Sequence, residues 1–200
     1  KIYNLVTNKT PKYGNDDDYA DANAAFIMDS WCDAIAEMNT HKELIPEQGG
    51  EYVCSSIVAT SPTGLGLNVG ALPGGRKSYM PLSDTSSPEH GMDKLGPSAV
   101  VRSNGKLPIA RNSIGNCLNQ RLSPQLLATE EDMDRFVSFV QSLGYLGLAE
   151  IQFNVISSEL LKKAMKDPDS YRDILVRTAS YSAYFVDMNE RCQLDIIDRT

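Results

Sequence analysis

The stretch "TEEDMDRFVSFVQSLGYLGLAEIQFNVI", residues 129–156, constrains the fold more than any other part of the chain. Thr129 with Asp132 three positions on makes a capping-box-like helix start. Phe136, Val137, Val140 and Leu143 follow at helical spacing and predict one buried stripe. "EIQFNVI" then predicts a short buried strand. Ser157 or Ser158 is placed to cap a helix running to about Met165. "DPDSYRDILVRTA" predicts a further short helix with Pro168 in its first turn, and "NERCQLDIIDRT" a last helix capped by Asn189. Upstream, Asn15 is placed to cap a helix whose first turn carries Asp16, Asp17 and Asp18. Ile27, Trp31, Ile35 and Met38 share one face of that helix. "EYVCSSIVAT" predicts a strand ended by the turn "SPTG". Helix and strand alternate without an internal repeat, which defines an α/β chain.

Residues 64–105 are rich in Gly, Pro and Ser, and are too long for an idle loop in a compact domain. Within them, "GALPGGRKS" has glycines at phosphate-loop separation. Arg76 intervenes before Lys77 and Ser78, however, and Pro81 forbids the helix such a loop needs behind it. "GLGLNVG" fails the dinucleotide spacing. The triple aspartate lacks the alternating ligands and distal Glu of a calcium loop and reads as an acidic first helical turn. His41 and His90 are the only histidines, and neither has an obvious partner in the sequence, so neither receives a role.

Hydrophobic residues make up 42% of the 200, enough for a real core in one domain or two small ones. The net charge of −7 argues against nucleic acid or an anionic membrane as partner. Cys32, Cys54, Cys117 and Cys192 form no C-x-x-C pair. No structural zinc site or disulfide scaffold is expected, and reduced thiols in a cytoplasmic protein are the simplest reading. No apolar run approaches a membrane span, and no signal peptide is present. The chain opens on Lys1, as expected of a fragment or a processed chain. Read this way, the residues carry no conventional acid–base, metal or phosphate signature. Any chemistry is expected to use a backbone atom or another segment.

The C-terminal stretch "ILVRTASYSAYFVDM" closely resembles the signature loop of glycyl radical enzymes. Ordered motifs elsewhere extend the likeness to essentially the whole chain: "TPKYGNDDDYAD" at 10–21, "GALPGGRKSYMPLSD" at 70–84, "SPEHGMDKLGPSAV" at 87–100, "IQFNVIS" at 151–157, "DPDSYRDILVR" at 167–177 and "QLDIIDRT" at 193–200. The resemblance implies the C-terminal part of a member of the pyruvate formate-lyase, diol dehydratase and arylacetate decarboxylase superfamily. Its members are several times longer. The implied fold is a ten-stranded α/β barrel of two half-barrels wrapped by helices. Residues 1–68 would be the end of the barrel domain and 69–200 the glycine radical domain.

The same resemblance implies the chemistry. A radical on a glycine Cα is stabilised by delocalisation into both flanking peptides, which needs a planar centre. An activase with S-adenosylmethionine and an iron–sulfur cluster installs it; no cofactor is bound intrinsically and no metal is expected in this chain. The radical generates a thiyl on a cysteine loop that attacks a small organic substrate, inside a barrel that excludes side reactions. Ser180 stands at the radical glycine position, and its side chain is expected to crowd a planar centre. Arg177, Ala179 and Tyr181 are expected to position the loop. Gln152 and Asn154 either face the barrel interior on alternate strand positions or are buried polar residues satisfied by neighbouring loops. Glu150 takes a place the family usually gives to His, and needs a partner if buried. None of the four cysteines has the Gly-Cys context of the thiyl loop. The expected partners are the upstream barrel half that carries this loop and the activating enzyme, the parent being a homodimer.

Three readings stand at this level. The chain is the radical-loop part of a lyase or dehydratase that cleaves C–C, C–O or C–N bonds, with Ser180 a variant or engineered residue. Alternatively it is a catalytically dead paralogue kept for binding or assembly, or a detached docking domain. In each, the isolated chain is expected to be inactive.

Overall fold

The computed structural model describes residues 1–56, 61–178 and 181–198. In chain order its elements are α1 (Ile2–Asn8), α2 (Asp18–Met38), α3 (Ser61–Gly66), α4 (Pro97–Gly105), β1 (Cys117–Leu122), α5 (Glu130–Tyr145), β2 (Glu150–Val155), α6 (Ser158–Lys166), β3 (Leu175–Arg177), β4 (Ser182–Tyr184) and α7 (Glu190–Asp198). Strands β1 and β2 pair in parallel, with α5 as their crossover. Strands β3 and β4 form an antiparallel hairpin.

The cap residues expected for α5, α6 and α7 cap those helices. Asp132 donates its N–H to Thr129 Oγ1 at 3.1 Å, and that hydroxyl donates to Asp132 Oδ2 at 2.6 Å. Ser157 caps α6 by accepting from the Leu160 N–H, and Asn189 caps α7 by accepting from the Cys192 N–H. The inner stripe of α5 differs from the expected one. Phe136, Phe139 and Leu143 face inward, while Val137 and Val140 are exposed. Spacings of three and four residues keep the first set on one line, and Val137 and Val140 fall to its side. Phe136 and Phe139 meet Phe153 of β2 edge-on, at 5.3 and 6.2 Å between centroids.

Two hydrophobic clusters result. Val100 and Val101 of α4, Leu118 of β1 and Leu143 of α5 form one, with Ile151 and Phe153 packed against it. Leu161 and Ala164 of α6, Val176 of β3, Phe185, and Ile196 and Ile197 of α7 form the other.

Other expectations need correction. Asp17, not Asn15, caps α2 by accepting from the Ala20 N–H at 3.0 Å, because Asp16 takes a positive φ of 55° that turns the backbone before the helix begins. Asn15 instead ties two loops, accepting from the N–H groups of Lys94 and Leu95 and donating to the carbonyls of Lys12 and Met92. Residues 51–56 make only an isolated parallel bridge, Ser56 to Asn116. Residues 57–60 lie outside the described set. "SPTG" opens α3 rather than a turn, with Pro62 in the first helical turn, where its missing N–H costs nothing. "DPDSYRDILVRTA" holds only a 3-10 turn, Pro168–Tyr171, before β3. Ile174 and Val176 extend there because both pack into the second cluster.

The long Gly/Pro segment is held by side chains. Buried Arg76 donates to the carbonyls of Gly66 (3.0 Å), Gly70 (2.9 Å), Pro81 (3.2 Å) and Met80. Its guanidinium is therefore committed to backbone, which accounts for "GALPGGRKS" without a phosphate. Lys106, just beyond α4, ion-pairs with Asp16, Asp18 and fully buried Asp21 at 2.7–2.9 Å, fastening the start of α2 to α4.

Removing Lys106 strands a buried carboxylate. Lys106→Met should cost about 3 kcal/mol in denaturant unfolding. The hydrogen bond from Lys106 also holds the Asp16 carboxyl below its ordinary range. A depressed carboxylate adds stability that is full above about pH 4 and lost as pH falls through its lowered folded value. Lys106→Met should flatten that acid limb when unfolding is followed against pH.

Candidate functional site

Parallel register decides which side chains share a face. The pairs Cys117–Glu150, Asn119–Gln152 and Arg121–Asn154 put six polar or thiol side chains on one face of the β1–β2 sheet. The opposite face of β2 carries Ile151 and Phe153 into the first cluster. "EIQFNV" thus splits by alternation into an apolar side toward the helices and a polar side toward the β3–β4 hairpin.

The hairpin pairs Leu175 with Tyr184, Val176 with Ala183 and Arg177 with Ser182. Beyond Arg177, Thr178 donates both its N–H (3.0 Å) and its hydroxyl (3.1 Å) to the Tyr181 carbonyl. This closes the connection between the strands. Ala179 and Ser180, two of the expected loop residues, lie outside the described residues.

Asn154 attaches the hairpin to β2. Its Nδ2 donates to the Arg177 carbonyl and its Oδ1 accepts from the Arg177 N–H, both at 2.7 Å. Arg177 Nε donates to Gln152 Oε1 at 3.2 Å, and Gln152 Nε2 donates to Glu150 Oε1 at 2.6 Å. Gln152 and Asn154 are 6% and 7% exposed, so these bonds are what satisfies them in this chain. Their partners are Arg177 of β3 and, for Gln152, also Glu150 of its own strand. Glu150 is exposed here, so the burial that would have demanded a partner does not arise, and Gln152 serves it anyway. Arg177 is held through its backbone as much as through its guanidinium. Tyr181 is 42% exposed and contributes its carbonyl to the loop closure.

Sequence reasoning assigns no role to Thr178, which makes the closure, or to Cys117, which opens β1 opposite Glu150. The Cys117 thiol is 2% exposed and pushed up to about 12, first by burial and then by the Glu150 and Asp84 carboxylates, with Arg177 pulling the other way. It therefore remains a protonated thiol at neutral pH. Thr85 and Ser86 donate to the Cys117 carbonyl from the loop above it, and Asn119 donates to Asp84 on the same loop. Arg121 donates to the Ile196 carbonyl, tying β1 to α7. An open cavity of about 510 Å³ is lined by Thr85 and Ser86 of that loop together with Ile27 and Trp31 of α2, Ser55 and Ser56. None of the residues lining it is charged, and neither Arg177, Tyr181, Gln152 nor Asn154 reaches it.

His90 does have a partner, Asp195 of α7, at 3.5 Å, whereas His41 pairs only with exposed Glu43. All four cysteines are free and buried. Among the described residues no group of three or more His, Cys, Asp or Glu is arranged to hold a metal, and no helix is long and apolar enough to cross a membrane.

Family comparison fits this arrangement. Residues 82–186 match the glycine radical family and residues 1–66 the pyruvate formate lyase-like family. The chain belongs to the glycyl radical enzymes and folds as the C-terminal part of their barrel. It is 38% identical over 199 residues to trans-4-hydroxy-L-proline dehydratase of Clostridioides difficile, covering 100% of this chain and 24% of that protein. It is 40% identical over 192 residues to isethionate sulfite-lyase of Nitratidesulfovibrio vulgaris, covering 95% of this chain and 22% of the relative. It superposes on the glycerol-bound B12-independent glycerol dehydratase of Clostridium butyricum with a TM-score of 0.92 at 34% identity, covering 100% of this chain and 24% of that one. The chain thus spans about a quarter of the length of these relatives.

The raised thiol has a pH consequence. A group whose folded pKa lies above its unfolded value adds stability that is complete below the unfolded pKa, about 8.5 for Cys, and is lost as pH rises toward about 12. Cys117→Ala should flatten the decline in unfolding free energy above pH 8.5. A residual slope should remain from Cys32 and Tyr13, which burial raises too.

Proposed function

We infer that this chain is the radical-loop-bearing part of a glycyl radical lyase or dehydratase that cleaves C–C, C–O or C–N bonds, and that the chain as it stands is inactive. The observation carrying the reading is the β3–β4 hairpin, closed by Thr178 and Tyr181 and fastened to β2 at Arg177, in a chain of this family. Position 180 lies in sequence between those anchors. A glycine there would leave a Cα radical free to flatten between two peptide groups. The hydroxymethyl group of Ser180 adds bulk at that carbon and removes the conformational freedom of glycine. The named relatives are dehydratases and a sulfite-lyase, which supports bond cleavage on a small organic substrate without selecting one.

The reading includes partners. Tyr19, Phe26, Ile27 and Trp31 of α2 are more than half exposed, and an apolar face of this extent favours a protein cover. The upstream barrel half with the cysteine loop is the proposed cover, in a homodimeric cytoplasmic parent. The domain division falls at residues 68 and 69. The activating enzyme, bringing S-adenosylmethionine and an iron–sulfur cluster, is the second partner. The chain's own share of the work is to hold the loop: Asn154 and Gln152 fix Arg177, and Thr178 fixes Tyr181.

Electron paramagnetic resonance after anaerobic treatment with an activase tests this. The Ser180 chain should give no glycyl doublet, and Ser180→Gly beside the upstream half should give one. A doublet from the unaltered chain would overturn the inactivity. Its absence from Ser180→Gly would favour the dead paralogue.

A further inference from the structure

We propose that Asn154 is the positioning residue of the radical loop, with Gln152 as its auxiliary. The proposal rests on the reading of the hairpin as that loop and assigns how its place is set. β2 and β3 are adjacent but share no backbone ladder, since the structure holds them in separate two-stranded sheets. Their connection is the Asn154 carboxamide, which presents a donor and an acceptor as a neighbouring peptide would. It takes both backbone groups of Arg177 at 2.7 Å.

A carboxamide anchored this way selects one residue of β3. A slip of the hairpin by one residue would offer Asn154 a residue whose backbone groups point to the opposite edge of β3, toward β4. The Gln152–Arg177 bond at 3.2 Å adds a side-chain check on the same residue. Asn154 itself is fixed from behind. Its strand neighbours Phe153 and Ile151 are packed in the α4–α5 cluster, and Arg121 lies beside it in register. Arg177 is one residue from the loop closure at Thr178. The position of Arg177 along β2 is therefore decided at Asn154, not by the hairpin's own ladder.

Amide hydrogen exchange on the full chain reads this without any radical. The Arg177 N–H donates to Asn154, whereas the Phe185 N–H donates to the Ile174 carbonyl at 2.8 Å within the hairpin region itself. Asn154→Ala should speed exchange at Arg177 by about tenfold or more and leave Phe185 and Leu161 within about twofold. Asn154→Asp keeps the acceptor for the Arg177 N–H but sets a carboxylate oxygen against the Arg177 carbonyl, so it should not restore full protection. Equal loss at Arg177, Phe185 and Leu161 would mean that Asn154 only supports the core, and unchanged exchange at Arg177 would mean that the ladder sets the position. Either overturns the proposal. If Asn154→Ala does not fold, Asn154→Ser decides: faster exchange at Arg177 with Phe185 and Leu161 unchanged supports the assignment, and equal loss at all three or no change at Arg177 overturns it. Local deprotection together with a silent Ser180→Gly chain would leave Asn154 as the anchor of the hairpin and refute only the radical-loop reading.

Discussion

Much of this architecture depends on one strand having two incompatible sides. β2 buries Ile151 and Phe153 against α4 and α5, and presents Glu150, Gln152 and Asn154 to the hairpin. A strand buried on both faces usually reads as a continuous apolar run. Here the polar side is sustained because each buried amide finds a partner with little room for another arrangement. An unpartnered carboxamide in that position would cost about 1–3 kcal/mol, so the polar face demands the hairpin as much as the hairpin demands the face. The two hydrophobic clusters are joined by few direct ties, among them the Arg121 bond to the Ile196 carbonyl. The Asn154–Arg177 pairing couples them, and the hairpin takes its orientation from a core it does not itself belong to.

The same logic governs the long segment between α3 and β1. Among the described residues this segment forms no strand, yet its backbone groups still need partners. Side chains supply them. Arg76 gathers carbonyls that converge from both ends of one loop, and Asn15 bridges two others. Tyr13 donates to the Ser86 carbonyl at 2.9 Å, and Asn104 donates to both Tyr13 and Ser86. These contacts join residues more than seventy positions apart to the loop over Cys117. The polar face of β1 and β2 is roofed by a segment whose order comes from a few planar, multiply bonding groups.

What was legible in the sequence follows the range of each interaction. Thr129, Ser157 and Asn189 were readable as caps because a cap acts within three residues. The class and the strand at "EIQFNV" were readable from alternation, whereas β3 reads as part of a short helix because its pairing with β4 has no local signal. The cap of α2 was misplaced by two residues because a positive φ at Asp16 has no sequence signal. β1 was not anticipated, since "CLNQRL" interleaves Leu with Asn, Gln and Arg and only its pairing with β2 explains both faces. Trp31 and Ile27 were placed on one helical face correctly, but spacing alone does not say what covers a face, and in this chain they are exposed. At the site, Gln152 and Asn154 could be named but not paired. Arg177 lies twenty-three and twenty-five positions away from them, and nothing local encodes that meeting.

The anchors around the tip are nearly all backbone groups: the N–H and carbonyl of Arg177, the N–H of Thr178 and the carbonyl of Tyr181. Thr178 adds one hydroxyl. None of these bonds uses the side chain at position 180, so the scaffold does not discriminate glycine from serine through them. The chemistry implied for the family does discriminate, because it needs a carbon able to flatten between two peptides. Scaffold and reactivity are therefore separable at this one residue. The bonds at Arg177, Thr178 and Tyr181 can be kept while the atom arrangement that would hold a radical at position 180 is lost. Agreement of the fold with active relatives consequently carries no weight on whether position 180 is reactive, and the chemistry of that single Cα decides it.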